Sequence, residues 1–298
     1  MGNRPAGKIA GYTAGIVAGV SYGLNPLFAK SLLAGGVAVS SMLFFRYAIA
    51  LLLMAGWMAV RHERFRVSAR QLPLLVFMGL LFASSSLTLF ASYRYIPSGL
   101  ATTLVYLYPA FTALMMVCMG KKQGLNTWIA IFGTIAGVVL LCLPDGSVTL
   151  HWAGLLLACT SAFVYALYLV LVNNSRRIED VSAHTITLHA LMTGTLLFAA
   201  LTIAGGSGFT TGIDSASAWL NLAGLAVFPT MISLLALSIS TRRIGATRTA
   251  VLGVFEPLTA LLIGVAVYGE PMNAAMGIGV AVCIASILYM IISDRSVS

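Results

Sequence analysis

The chain has 298 residues, of which 59% are hydrophobic and only 8% are charged, and its mean hydropathy is +0.97. Soluble domains carry roughly 25% charged residues, so this composition excludes a soluble globular protein and predicts an all-α integral membrane protein. The net charge of +9 would suit nucleic acid, but the basic residues follow membrane topology instead.

Ten apolar stretches follow one another along the chain, and each is long enough to cross a bilayer as a helix of about 20 residues. In chain order, spans one to ten are residues 9–32, 38–60, 72–93, 98–119, 125–143, 152–174, 183–205, 218–240, 247–268 and 273–292. Span one is too long and too interrupted to be a removable signal peptide. The sequence therefore predicts ten transmembrane helices joined by short loops, with no soluble domain.

The lysines and arginines predict the orientation of these spans. If the N-terminus is cytoplasmic, all 17 except Lys30, Arg46 and Arg94 lie on the cytoplasmic side. This is the positive-inside pattern expected for an even number of spans. We therefore expect a multi-pass membrane protein with both termini in the cytoplasm.

A stripe of small residues in span one recurs in span six. Gly11, Gly15, Gly19 and Gly23 fall on every fourth position, and a shift of 143 residues gives Gly154, Ala158, Ala162 and Ala166. Tyr22 and Tyr165 recur beside the stripe at the same shift. A stripe with this spacing lies on one helix face and lets two backbones approach closely, as membrane helices do.

Later spans repeat with nearly the same shift, since Pro109 matches Pro257, Arg94 matches Arg242 and Ile96 matches Ile244. We therefore predict two five-helix repeats, residues 1–145 and 146–298, within one membrane domain. Because five is odd, the second repeat enters the membrane from the opposite side. Such inverted pairs place a ligand site at the repeat interface, near the middle of the bilayer.

Short motifs occur in a recognisable order along the whole chain. They are Phe45-Arg46-Tyr47, the stretch from Tyr93 to Ala101 that leads into Tyr108-Pro109, Arg243-Ile244-Gly245-Ala246, Glu256-Pro257 and Gly269-Glu270. On these motifs the chain resembles the drug/metabolite transporter superfamily, in its ten-helix EamA-type branch of bacterial inner-membrane exporters. One departure is Gly120-Lys121, which stands where members often carry Gly-Glu, so we do not expect that glutamate to be essential here.

The resemblance implies export of small metabolites, chiefly amino acids, across the bacterial inner (plasma) membrane. It also implies a central cavity lined by spans one, three, four, six, eight and nine, with spans five and ten packed at the side.

Four prolines lie inside predicted spans, at Pro26, Pro109, Pro229 and Pro257. Each leaves the carbonyl four residues earlier without its helical partner. Those carbonyls belong to Tyr22, Val105, Leu225 and Gly253. The prolines are either bend points for gating, with carbonyls that could accept from a substrate ammonium, or static kinks that only shape the bundle. The repeat-related pair Pro109 and Pro257 is the better prediction for hinges.

Glu256 is the only acidic residue predicted deep inside a span. A charge at mid-bilayer costs roughly 2.5–3.5 kcal/mol, so the side chain must face the bundle or be neutral. It either binds a substrate ammonium, carries a coupled proton, or is a structural partner of Arg46 or of free backbone amides. Tyr108, at the equivalent place in the first repeat, favours the structural alternative.

Arg46 lies in the outer third of span two, where it either snorkels to the interface or meets a substrate carboxylate. A shift of 143 takes Arg46 to His189 in span seven, where a histidine is more often simply hydrogen-bonded than functional.

The other candidate substrate-binding residues carry hydroxyl groups. They are Ser85, Thr103, Tyr106 and Thr259, together with Tyr22 and Tyr165, which offer an aromatic wall with a polar edge.

The sequence predicts a secondary transporter that exports amino acids, aromatic and others, by alternating access. It contains no GxxxxGK[ST] loop for ATP, no H-E-x-x-H, no G-x-S-x-G and no paired intramembrane aspartates, so we do not expect an enzyme. A carrier of sugars, nucleotide sugars or drugs is the alternative, and a channel is less expected. The four cysteines have no paired spacing, and we predict no disulfide, metal, cofactor, nucleic acid or obligate protein partner.

Overall fold

The computed structural model describes residues 5–63, 65–92, 94–96, 101, 104–141, 151–206, 208–269 and 274–296. Within these ranges every regular element is a helix, which confirms the predicted all-α class. The helices of the first half are α1 (Pro5–Gly23), α2 (Asn25–Ala34), α3 (Val39–Val60), α4 (Leu72–Ser92), α5 (Tyr108–Cys118) and α6 (Leu125–Leu141). Those of the second half are α7 (Trp152–Asn174), α8 (Ala183–Ala204), α9 (Ala216–Ala226), a π-helix (Val227–Ile232), α10 (Ser233–Ile244), α11 (Ala246–Leu252), α12 (Phe255–Tyr268) and α13 (Ala274–Ser296).

Eight helical stretches among the described residues are long and apolar enough to cross a membrane. They are Gly7–Ala34, Val39–Val60, Leu72–Ser92, Trp152–Asn174, Ala183–Ala204, Ala216–Ile244, Ala246–Val267 and Ala274–Ser293. Two shorter apolar helices, Tyr108–Cys118 and Leu125–Leu140, lie within predicted spans four and five, which extend beyond the described residues. The protein is therefore a multi-pass membrane protein, and the full number of ten spans stays a prediction.

The outer surface of the bundle is apolar. Large hydrophobic side chains such as Leu52, Phe132, Trp152 and Leu196 are exposed, each by more than 60% of its surface. Soluble proteins rarely expose contiguous apolar surface on this scale. The exposed side chains are accounted for by contact with lipid acyl chains.

The glycine stripe of span one packs against α10, α11 and α12. A Cβ atom added at Gly15 would lie 2.4 Å from Leu252 Cδ1, and one added at Gly19 would lie 2.8 Å from Phe255 Cβ. Both distances are far below ordinary contact, and a Cβ atom added at Gly23 would lie 2.6 Å from the Glu256 carbonyl oxygen. Glycine therefore allows span one to lie against the backbone of α12.

The stripe of span six makes the corresponding contact with the halves exchanged. Gly11 lies against Ile244, and its repeat counterpart Gly154 lies against Ile96, with added Cβ atoms 2.5 and 2.7 Å from the isoleucine Cγ2 atoms. Ile96 is itself the predicted counterpart of Ile244. A crossed pair of this kind is what an inverted repeat produces, although the repeat itself stays a prediction.

Candidate substrate cavity

Three spans are interrupted in the interior, and a proline lies in the first turn after each interruption. Span one breaks at Leu24 before Pro26, span four turns at Tyr106 and Leu107 before Pro109, and span nine turns at Gly253 and Val254 before Pro257. The fourth predicted proline, Pro229, lies inside the π-helix of span eight. Proline favours the first helical turn because its missing amide hydrogen has no helical acceptor there.

Two of the carbonyls that the prolines release already have donors within the protein. The Leu225 carbonyl accepts from the Thr230 hydroxyl at 2.7 Å, and the Gly253 carbonyl accepts from the Glu256 amide at 2.8 Å. The nearby Val251 carbonyl accepts from the Tyr106 hydroxyl at 3.0 Å. These acceptors therefore stabilise the breaks and are not free for a substrate ammonium in this structure.

A cavity of about 850 Å³, which includes its open mouth, lies where the three breaks meet. Its polar lining residues are Tyr22, Asn25, Ser85, Ser86, Tyr106, Tyr108, Tyr165 and Glu256. Its remaining lining residues are Gly23, Pro26, Phe82, Leu89, Phe90, Val105, Pro257 and Ala260. Ligand sites in this size range combine largely apolar and aromatic walls with a few polar groups that set orientation.

Both members of two repeat-related pairs line the cavity. Tyr22 corresponds to Tyr165, and Tyr108 corresponds to Glu256. The cavity thus lies between residues that the predicted repeat pairs with one another, where such a repeat would place a ligand site.

The lining agrees with the spans that the family resemblance implies, with one exception. Spans one, three, four, six and nine contribute residues, whereas span eight contributes none of the described lining residues. Spans five and ten pack against each other, and a Cβ atom added at Gly137 of α6 would lie 2.4 Å from Cys283 Sγ of α13.

Most of the predicted site residues come together in this cavity, but not all of them do. Tyr22, Ser85, Tyr106, Tyr165 and Glu256 line it, as do Pro26 and Pro257. Thr259 does not line it and packs instead against Gly23, whose added Cβ atom would lie 2.5 Å from Thr259 Cβ. Pro109 and Pro229 are buried outside the lining, and Thr103 lies outside the described residues.

Glu256 faces the cavity, and within the described part of the chain its carboxylate has no partner. No hydrogen bond or ion pair joins its carboxylate to another residue of the described ranges. The predicted alternative in which Glu256 pairs with Arg46 is therefore not found. The carboxylate is placed to meet a ligand cation or to carry a proton.

Arg46 is held inside the protein, and the expectation that it snorkels to the interface is wrong. Its side chain is only 1% exposed. The guanidinium donates to Thr230 Oγ1 at 2.5 Å, to Asn25 Oδ1 at 2.9 Å and to the Pro229 carbonyl at 3.0 Å. Through these three hydrogen bonds Arg46 joins α3 to the π-helix and to the break after α1.

Arg46 also supports one wall of the cavity. Its guanidinium carbon lies 5.6 Å from the centre of the Tyr22 ring, within the range of a cation–π contact. Arg46 does not line the cavity, but it contacts Tyr22 and Asn25, which do. It is therefore a positioning residue in this structure.

Tyr108 is a cavity residue that the sequence reasoning treated only as a repeat counterpart. Its ring packs edge-on against Tyr106 and Tyr165, with centroids 5.6 and 4.7 Å away. Its buried hydroxyl has no hydrogen-bond partner in the described structure and lies directly over Gly253. Its position directly before Pro109, inside predicted span four, is the sequence feature that could have identified Tyr108 as a cavity residue.

His189 and the serines of α4 have structural partners. His189 Nδ1 lies 2.8 Å from the Thr185 carbonyl, one helical turn away, as expected for a hydrogen-bonded histidine. Ser85 bonds Ser161 at 3.1 Å, and Ser86 lies 3.2 Å from the Tyr47 hydroxyl.

The sequence matches the EamA-like transporter family twice, over residues 9–143 and 152–292. The protein belongs to the EamA-like transporter family. Family membership makes it a membrane transporter and points away from an enzyme.

Its similarity to curated proteins is distant. It is 26% identical to an uncharacterized transporter of Archaeoglobus fulgidus over 190 residues. This matched region covers 64% of this chain and 66% of that protein. It is 26% identical to the uncharacterized transporter YdfC of Bacillus subtilis, over 67% of this chain and 65% of YdfC. It is 24% identical to the uncharacterized inner membrane transporter YedA of Escherichia coli K12, over 71% of this chain and 67% of YedA. The matched region thus spans about two thirds of each relative.

The fold is also shared with a protein of known crystal structure, over nearly the whole of both chains. It superimposes with a TM-score of 0.83, covering 99% of this chain and 100% of its own, at 18% sequence identity.

Proposed function

We propose that this EamA-like transporter exports amino acids, aromatic and others, across the bacterial inner membrane by alternating access. The proposal rests on one observation. The Glu256 carboxylate, which has no partner among the described residues, faces a cavity walled by Tyr22, Tyr106, Tyr108 and Tyr165. A carboxylate binds the ammonium group that every amino acid carries, and the aromatic walls suit apolar and aromatic side chains.

The helix breaks support alternating access. Breaks before Pro26, Pro109 and Pro257 border the cavity, and discontinuous helices around a central site are a feature of transporters that open to each side in turn. We infer that these breaks are the hinges and that the two halves, residues 1–145 and 146–298, move as inverted repeats with both termini cytoplasmic. Accessibility of single cysteines at the two termini tests this topology, and labelling of the termini from opposite sides of the membrane would exclude it.

Counterflow in proteoliposomes tests the substrate class. Vesicles loaded with unlabelled phenylalanine should take up labelled phenylalanine, leucine or other neutral amino acids, whereas protein-free vesicles should not. A channel would equilibrate the label without transient accumulation. Absence of exchange across a broad amino-acid panel would remove the amino-acid assignment.

A carrier for other small metabolites or drugs is the second candidate, and one observation favours it. No lysine, arginine or histidine is among the described lining residues, and the donors of Arg46 are engaged with Thr230, Asn25 and Pro229. A substrate carboxylate therefore has no cationic partner here. Comparing phenylalanine with phenethylamine, which lacks the carboxylate, separates the candidates: preferred exchange of the amine supports the second.

Glu256→Gln should reduce amino-acid exchange by about tenfold or more, because a hydrogen bond to a charged group contributes about 1.5–3 kcal/mol. Initial rates of counterflow give the effect. Glu63→Gln is the matched control, since Glu63 lies outside the membrane spans, 3.5 Å from His184. If exchange persists and only pH-driven transport is lost, Glu256 carries the coupled proton instead, and if neither changes, Glu256 has no part in transport.

A further inference from the structure

A second cavity, of about 580 Å³, lies at the end of the bundle where the loop after α5 meets the start of α11. Three cationic residues line it, Lys121, Lys122 and Arg248. Lys121 also donates to Asn174 Oδ1, and Arg248 also donates to the Ile244 carbonyl. No aspartate or glutamate is among the described residues of its lining. The positive-inside pattern predicts that this end of the bundle faces the cytoplasm.

The cavity wall also has a hydrogen-bonding group without a partner. Thr247 lines the cavity and is only 4% exposed, and its hydroxyl has no hydrogen-bond partner in the described structure. Buried polar groups are normally satisfied, so an unpaired one beside three cations is a further indication of a missing ligand. Cations and a hydroxyl in a concave site suit a phosphate group.

Apolar side chains next to the cavity indicate where the rest of such a ligand lies. Met119 and Leu125, on either side of the segment 121–124 that lines the cavity, are 54% and 74% exposed. Acyl chains attached to a phosphate in the cavity would extend onto the lipid-facing surface to which these exposed residues belong. Free inorganic phosphate would make no use of this apolar surface.

We propose that this cavity binds the phosphate group of an anionic phospholipid in the cytoplasmic leaflet. Basic cavities between membrane helices on this side of the bilayer hold anionic headgroups. The cavity joins the loop after α5 to the start of α11, and each of these helices borders an interruption near the substrate cavity. A bound lipid therefore links the two halves of the transporter at a point remote from the substrate.

Lipid binding to the purified full-length protein in neutral detergent tests the proposal. Native mass spectrometry titrates dioleoyl-phosphatidylglycerol, dioleoyl-phosphatidylcholine and inorganic phosphate in separate arms. We expect tight binding of the phosphatidylglycerol, with an apparent dissociation constant raised by about tenfold or more in Lys121→Gln/Lys122→Gln/Arg248→Gln, since each basic residue contributes about 1 kcal/mol. Lys122→Gln alone, at an exposed position, should give a smaller shift without affecting folding.

A second triple variant is the control for the loss of charge. It removes three positive charges, as the cavity variant does, from the same predicted side of the membrane. Arg61→Gln/Arg66→Gln/Arg70→Gln removes three exposed cations outside the cavity and should retain wild-type binding. Equal weakening in both triple variants, or equal binding of the two lipids, would overturn the proposal. If inorganic phosphate competes with phosphatidylglycerol at millimolar concentration, the phosphate site stands and its ligand includes free phosphate.

Discussion

Gly253→Ala should destabilise the protein by about 1–3 kcal/mol, because an added methyl group at a close contact forces side chains and backbone apart. An added Cβ atom would lie only 1.4 Å from the Tyr108 hydroxyl and 2.8 Å from Tyr108 Cζ. The Tyr108 side chain cannot move aside easily, because it is buried and packed between Tyr106 and Tyr165. The midpoint of thermal unfolding in detergent measures the loss.

A second substitution identifies the clash as the cause. Tyr108→Phe removes the overlapping hydroxyl, so the double variant with Gly253→Ala should recover part of the lost stability. Tyr108→Phe alone should be neutral or slightly stabilising, because the deleted hydroxyl has no partner in the described structure. Gly56→Ala in α3, where an added Cβ meets nothing within 4 Å, is the matched control and should unfold like the wild type. A wild-type midpoint for Gly253→Ala would contradict the close approach of spans four and nine.

Arg46→Met should cost about 3 kcal/mol or more of folding stability. Methionine fills much of the arginine volume, so the loss reports the hydrogen bonds to Asn25, Thr230 and the Pro229 carbonyl. Leaving a buried acceptor without a donor costs about 1–3 kcal/mol for each group. Thermal unfolding of the purified variant measures this, with Arg61→Met at the exposed end of α3 as control.

The same variant distinguishes a positioning role from substrate binding. If Arg46 acts only by ordering Tyr22 and Asn25, the Arg46→Met variant should be less stable than the wild type both with and without substrate. Its rates of phenylalanine exchange and of phenethylamine exchange should then decrease by the same factor. A stable variant that loses phenylalanine exchange alone would mean that Arg46 binds the substrate carboxylate.

Local sequence patterns predicted several features of the site because each has a local physical cause. Proline cannot donate a backbone hydrogen bond, so the breaks at Pro26, Pro109 and Pro257 follow from the sequence itself. Small residues at every fourth position form one helix face, so the close packing of Gly15 and Gly19 was also predictable.

The partners of polar side chains did not follow from such patterns. Arg46 lies near a span end, and local position alone favoured the interface, but a π-helix from the other half supplies the acceptors that bury it. Thr259 belongs to the same helix as Glu256, and yet it packs on Gly23 of α1 and does not line the cavity.

Composition, helix periodicity and proline positions thus determined a helical, multi-pass membrane protein with interrupted spans, since these features depend on hydrophobicity and on backbone bonds within a few residues. The tertiary structure decided which groups remain without a protein partner. Glu256 has no partner among the described residues, whereas Arg46 donates to three protein acceptors. Contacts between distant spans depend on how the helices are arranged and not on the neighbouring residues in the sequence.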